Sequence, residues 1–276
     1  LNVETSHTAR AYLLQALSMR QSIAPMPQVC LQLAELTAQQ ETDAARLVRL
    51  VESDAAVVGE IMRVANSAAL RPRAGVASLQ HAVSWLGVAE VRNIALAAAV
   101  RGGVFTAPGH EPETEELWRE ACLGSLWAKE VARLRRRNAE AAFLAGLMHR
   151  AGAALALKIL ARFEREQRTA LDGKTFADLV GDHELACGRL LMSHWCLPTD
   201  IQEAASEWRA YKTCRQTELA GTVRAAHLLA QYTLHPQLMP AESVLDDEVF
   251  AQLGVNDGYR SALIAQRDRV WQVAGI

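Results

Sequence analysis

The chain has 276 residues, half of them hydrophobic and 22% charged, with 29 basic and 31 acidic side chains giving a formal net charge of -2. That length supports a substantial core, as one large domain or two tightly packed helical lobes. The near balance of charge excludes a global field that would draw the chain onto nucleic acid or an anionic membrane. Glycine (16) and proline (8) are few, and apolar residues recur at three and four positions rather than two, so helix is expected nearly throughout.

Ala9 to Met19 places Tyr12, Leu13, Ala16 and Leu17 on one helical face. Pro27 opens a helix through Val29, Leu31, Leu33, Ala34 and Leu36, where its missing N–H costs nothing. Asp43 and Asp54 are N-caps for helices carrying Leu47, Leu50 and Val51, then Val57, Val58, Ile61, Met62 and Ala65. Ser78 caps a short helix through Ala82, Val83 and Leu86, with Gly87 at the position of a left-handed C-terminal cap. An apolar helix from Val88 to Val100 ends at Gly102-Gly103, and Thr106 to Thr114, with both its prolines and a glycine, reads as a linker.

A helix from Glu115 to about Arg137 opens the second half, and Asn138 caps the next, through Phe143, Leu144, Leu147 and Met148. After Gly152 helix is expected to about Arg168, then a short helix with Thr175 and Asp178 as capping box. Further helices cover Leu185 to Trp195, Pro198 to Trp208 and Glu218 to Leu234, with two more at Ser243–Asp246 and Asn256–Val273. The fold class is therefore all-α, with lobes expected at 1–105 and 106–236 and a helical extension at 237–276.

The five cysteines are scattered and odd in number, as expected for reduced thiols in a cytoplasmic protein, mostly small core residues. No apolar run approaches the roughly 18 residues of a membrane span, so a soluble chain is expected. A sequence opening on Leu1 rather than methionine is expected of a piece trimmed from a longer one.

Three stretches together carry a family resemblance. The first is Pro25-Met26-Pro27, followed by an apolar helix and Asp54. The second is Arg63-Val64-Ala65-Asn66-Ser67-Ala68, then Ser78, Ala82 and Leu86-Gly87. The third is Phe143-Leu144-Ala145-Gly146-Leu147-Met148-His149, with His183 and Trp195-Cys196-Leu197-Pro198 further on. Over about residues 20 to 210 the chain resembles the HDOD domain family, relatives of the HD metal-dependent phosphohydrolases. The resemblance implies an N-terminal helical lobe packed on a degenerate HD-like lobe. It also implies a signalling or regulatory role, with no reaction common to the family.

An HD hydrolase needs a carboxylate beside a histidine, with further histidines and an aspartate, to hold cations that acidify water and offset phosphate charge. Here Arg150 follows His149, and arginine has donors only and repels an incoming divalent ion. By alignment to the family pattern the first HD histidine falls on Glu120, and a later histidine pair on Glu207 and Trp208. The resemblance therefore implies a vestigial pocket of Glu120, His149, Arg150, His183, Glu207 and Trp208, with no catalytic residue, metal or cofactor. Glu120 and Arg150 have the chemistry for an ion pair filling that pocket through two parallel hydrogen bonds; the alternative leaves both in solvent.

His183, Cys187 and His194 share a helical spacing, but a zinc site would need ligands from elsewhere. Arg133, Arg135, Arg136 and Arg137 fit a helix C-terminus, whose dipole they complement, better than a nucleic-acid patch. Asn66 is expected to tie down a turn, and the six tryptophans to pack, with Trp208 able to plug the old site's mouth. The expected function is a non-catalytic regulatory module acting through protein partners in bacterial signal transduction, with neither membrane nor nucleic acid as partner. The rival expectation is a divergent HD phosphohydrolase or nucleotide-binding sensor.

Overall fold

A computed structural model of the chain describes residues 3–19, 23, 25–26, 44–67, 69–70, 72 and 75–275. No strand occurs among the described residues, and the all-α expectation is met. The helix expected after Pro27, the cap at Asp43 and Cys30 lie outside them. The chain divides into two compact units, Leu1–Pro25 with Val104–Ile264 and Met26–Gly103 with Ala265–Ile276.

The first helix, α1 (Val3–Met19), belongs to the larger unit. The smaller unit follows with α2 (Ala44–Glu52), α3 (Ala55–Ala65), α4 (Leu79–Leu86) and most of α5 (Val88–Val104). Asp54 caps α3 as expected, accepting from Ala56 N at 3.0 Å and Val57 N at 3.2 Å, and Ser78 caps α4 through His81 N at 3.1 Å. At Gly87 a φ of +86°, which an L side chain resists, separates α4 from α5. The core of this unit joins Leu47, Val51, Ile61, Ala82 and Val91. Helix α5 runs through Gly102-Gly103, four residues past its expected end; buried Val100 and Val104, one turn apart, offset the low propensity of the glycines.

Asn66 ties the end of α3 to the strap before α4. Its Nδ2 donates to Met62 O and Val76 O, both at 3.0 Å, and its Oδ1 accepts from Val76 N at 2.9 Å. Asn66→Ala leaves both polar groups of buried Val76 without that partner and is expected to cost about 2 kcal/mol in urea unfolding. Asn66→Asp should not restore it, because a carboxylate would face two carbonyls.

The larger unit continues with α6 (Glu111–Leu134), α7 (Ala139–Met148), α8 (Ala151–Gln167), α9 (Gly173–His194), α10 (Thr199–Ser206), a one-turn 3-10 helix (Trp208–Ala210), α11 (Thr217–Leu234), α12 (Ala241–Leu245), α13 (Glu248–Gln252) and α14 (Asp257–Ala265). The most extensive helix pairings of this unit are α6 with α7, α8 with α9 and α6 with α11. Helix α6 starts inside the expected linker, since Pro112 sits in its first turn, where no N–H is required. One helix, α9, spans the region where two were expected, and its cap is Asp172, accepting from Thr175 N at 2.9 Å. Ser243 lies within α12, and Asp247 caps α13. The expected run from Asn256 to Val273 is two helices, α14 and then α15 (Arg267–Ala274) of the smaller unit.

The grouping differs from lobes cut at 105 and 237 at both ends. Helix α1 packs on α8 and α9: Arg10 pairs with Asp182 at 2.5 Å, and the Tyr12 and Phe163 rings lie 5.4 Å apart. Arg63 of α3 donates to the carbonyls of Ala274 at 3.1 Å and Gly275 at 3.0 Å, closing the smaller unit with the chain's last helix. Sequence adjacency carries no sign of either long-range contact.

Trp118, Trp127, Trp195 and Trp208 are buried as expected, whereas Trp85 and Trp271 are 51% and 39% exposed. Among the described residues Ala139–Gln167 is the one continuous stretch long and apolar enough to cross a membrane, and 83% of its apolar window is buried against other helices.

Candidate functional site

Two close helix crossings assemble the site. A Cβ on Gly146 would lie 2.7 Å from Gly124 O, and one on Gly124 would lie 2.7 Å from His149 Cε1, so α6 and α7 meet backbone to backbone. A Cβ on Gly152 would stand 2.1 Å from Glu184 O, so α8 and α9 do the same. In close-packed interiors such contacts admit no larger residue. They bring residues 149 and 150, at the α7–α8 junction, against Glu120 of α6 and Glu184 of α9.

Arg150 lies between these two carboxylates. Its Nε is 2.5 Å from Glu120 Oε2, and its Nη1 donates to Glu184 Oε1. Glu120 Oε1 also accepts from Gln231 Nε2 at 2.6 Å, and Glu184 Oε2 from Arg209 Nη1. The side chains of Arg150, Glu120 and Glu184 are only 13%, 12% and 9% exposed. The expected Glu120–Arg150 pair is therefore present, but the guanidinium bridges two helices instead of forking onto one carboxylate. Glu184 thus accepts from two guanidiniums, whereas Glu120 meets Arg150 as an ion pair and takes its hydrogen bond from Gln231.

Beside the bridge lies a buried aromatic cluster. His149 Nδ1 lies 2.6 Å from Gly146 O, and since a carbonyl can only accept, Nδ1 carries the proton. His149 Nε2 then accepts from His227 Nδ1 at 3.2 Å. Trp208 meets His227 at 4.2 Å and His149 at 5.4 Å between ring centroids, and Arg209 covers the indole at 4.1 Å. Burial pushes the His149 imidazole down to about 3, with Arg150 and Arg209 adding to the shift against the opposing Gly146 hydrogen bond. His227 is held well below its ordinary value, by burial first and then by His149 and the Arg150, Arg209 and Arg224 guanidiniums. Both rings are neutral at physiological pH. The bridge also forms one end of a cleft of about 530 Å³ between α6 and α9.

The HDOD domain model matches residues 23–210, more than half of the chain. The chain belongs to the HDOD domain family. A crystal structure of a candidate metal-dependent phosphohydrolase from Shewanella amazonensis SB2B is 20% identical, covering 99% of this chain and 100% of that one, with a TM-score of 0.73. An HDOD domain protein of unknown function from Geobacter sulfurreducens is 16% identical over 98% of this chain and 97% of its own, with a TM-score of 0.71. A candidate signal transduction protein from Marinobacter aquaeolei VT8 is 19% identical over 99% of this chain and 66% of its own, with a TM-score of 0.69. At these identities the likeness is one of fold. No curated protein matches the sequence.

In this HDOD chain the residues at the position that the sequence resemblance assigns to a metal do not fit a divalent cation. A guanidinium takes the place between Glu120 and Glu184, and both His149 nitrogens are engaged. Two members of the expected pocket lie elsewhere. His183 Nδ1 donates to Leu179 O of its own helix at 2.9 Å, and Glu207 pairs with Arg189. His183 is one residue, about 100° of helical turn, from the acid that does reach the bridge. Sequence reasoning missed Glu184, Arg209, His227 and Gln231. Spacing places His227 and Gln231 one turn apart on one face of α11, but only the α6–α11 pairing shows where that face points.

Cys187 is buried, its thiol pushed up to about 12 by burial and then by Glu184, which makes it a poor ligand or nucleophile. At the end of α6, Arg133 pairs with Glu130 at 2.9 Å, and Arg135 and Arg137 reach Glu218 at 3.0 and 2.5 Å. Three of the four clustered arginines are thus countered locally, which favours the helix-end reading over a phosphate-binding patch.

Proposed function

We propose that this HDOD chain is a non-catalytic regulatory module that acts by binding a protein partner in signal transduction. One observation carries the reading: the Arg150 guanidinium bridges Glu120 and Glu184 where a hydrolase of this fold would hold its metal. A permanent internal cation stabilises the acids and leaves no low-pKa water to attack phosphorus. The pinned, neutral His149 supports the same reading, because its Nε2 lone pair already accepts from His227.

Two measurements on the purified chain test it. Metal content should be far below one ion per chain, and hydrolysis of bis(p-nitrophenyl) phosphate and of nucleotides should stay at background with magnesium, manganese or iron(II). A candidate partner captured from the native host and then purified should form a stoichiometric complex with the chain. Stoichiometric metal together with metal-dependent phosphoester cleavage would overturn the reading in favour of a divergent phosphohydrolase.

A further inference from the structure

We propose that the cleft between α6 and α9 binds an organic cation, an ammonium or guanidinium group on a short apolar stem. The assignment rests on the regulatory reading only in taking the Arg150 bridge as a permanent part of the cleft. Its volume of about 530 Å³ lies within the usual range of small-molecule sites.

Charge selects the ligand. Four carboxylates, Glu113, Glu116, Glu120 and Glu184, line the cleft against two guanidiniums, Arg150 and Arg209. Both guanidiniums are committed, Arg150 to Glu120 and Glu184, and Arg209 to Glu184 and the Trp208 face. An entering anion would meet guanidiniums whose charge is already balanced by Glu120 and Glu184. A cation would meet Glu113, which is 55% exposed and has His110 Nδ1 at 3.8 Å as its neighbour. One turn along α6 it would meet Glu116, which shares His235 Nε2 at 2.9 Å.

The opposite wall supplies the apolar part and the room. Phe176, its ring stacked on His110, and Val180 of α9 line the space together with Leu117 of α6, a surface suited to a hydrocarbon stem and of no use to a hydrated metal ion. On the same face of α9, Gly173 and Gly181 line the cleft, and a Cβ built on either would have nothing within 4 Å. Gly152 on the facing helix is required by a backbone crossing, but Gly181, in the middle of a long helix, has no packing reason to lack a side chain. Glycine weakens a helix interior relative to alanine, so this position gives up stability and keeps the cleft open.

The test is calorimetric titration of the full chain with agmatine, with N-acetyl-arginine methylamide, and with magnesium and ATP as controls. Agmatine stands for a free amine, and the blocked arginine for a side chain presented by a partner. The expected result is saturable binding of at least one of the two below about 1 mM, and no binding of ATP or of magnesium alone. Gly181→Leu fills open space and should melt no lower than the parent, yet weaken that binding at least about tenfold. Glu113→Gln with Glu116→Gln should do the same by removing the two carboxylates that no guanidinium of the cleft pairs. If the blocked arginine binds about tenfold more tightly than agmatine the source is a polypeptide, and the reverse order indicates a free amine. Absence of both at about 10 mM, binding untouched by the two variants, or tighter binding of ATP or magnesium overturns the assignment. Metal-dependent phosphoester cleavage would sink the regulatory reading while leaving a measured cation affinity intact, so the two failures can be told apart.

Discussion

Arg150→Ala is expected to lower unfolding free energy by about 3–5 kcal/mol, the range found when one partner is removed from a buried ion pair. Glu120 and Glu184 would keep Gln231 and Arg209 as partners but lose the charge between them. Arg150→Lys should recover only part of the loss, because a single ammonium cannot reach both carboxylates with fixed donors as a guanidinium does. Arg150→Met combined with Glu120→Gln should also recover part, by removing one of the two stranded charges. Manganese should raise the melting temperature of Arg150→Ala and leave the parent unchanged, because only the variant leaves the space between Glu120 and Glu184 without a cation and a ligand stabilises by mass action. Urea unfolding within about 0.5 kcal/mol of the parent would show the bridge to be energetically idle.

Acid should destabilise the chain well above the range in which carboxylates titrate. In the folded state His149 is held down to about 3 and His227 well below its ordinary value, whereas in the unfolded chain both take up protons near 6.5. Between those limits the unfolded state binds more protons, so stability is complete above about pH 7 and falls as the pH drops below about 6.5. His149 contributes up to about 1.4 kcal/mol per pH unit, about 2 kcal/mol by pH 5, and His227 adds to the loss in the same direction. Near pH 3 the His149 share of the slope should level off as the folded state itself protonates. His227→Asn should make the slope between pH 6.5 and 5 shallower. A flat profile over that interval would mean that the rings are not confined to their neutral forms.

The sequence made the local features legible and the long-range ones much less so. Asp54, Ser78, Asn138 and Asn66 act where composition placed them, because caps and turn ties depend on residues within a few positions. The Glu120–Arg150 pair was accessible through the family pattern, which supplies one long-range correspondence. Glu184 was not, because the helix holding it was read as two pieces, and the one-residue difference between His183 and Glu184 decides which side chain faces inward. His227 was missed for a related reason: α11 is apolar on most sides, and no local rule says which of its polar residues is buried. The end of α5 was set too early because two glycines look like a stop, whereas burial on either side of them carries the helix on.

Each of the two units is completed by a segment from the far end of the polypeptide. Tyr12 of α1 meets Arg162, 150 positions later, and Arg63 of α3 meets Gly275, 212 positions later. During synthesis α1 leaves the ribosome long before α8 and α9 exist to receive it, and the smaller unit waits for α15, made long after α5. Such distant closures slow folding and work against growth domain by domain along the emerging chain. Removing α1 should therefore injure the larger unit, and removing α15 the smaller one, although the rest of each body lies far away in sequence.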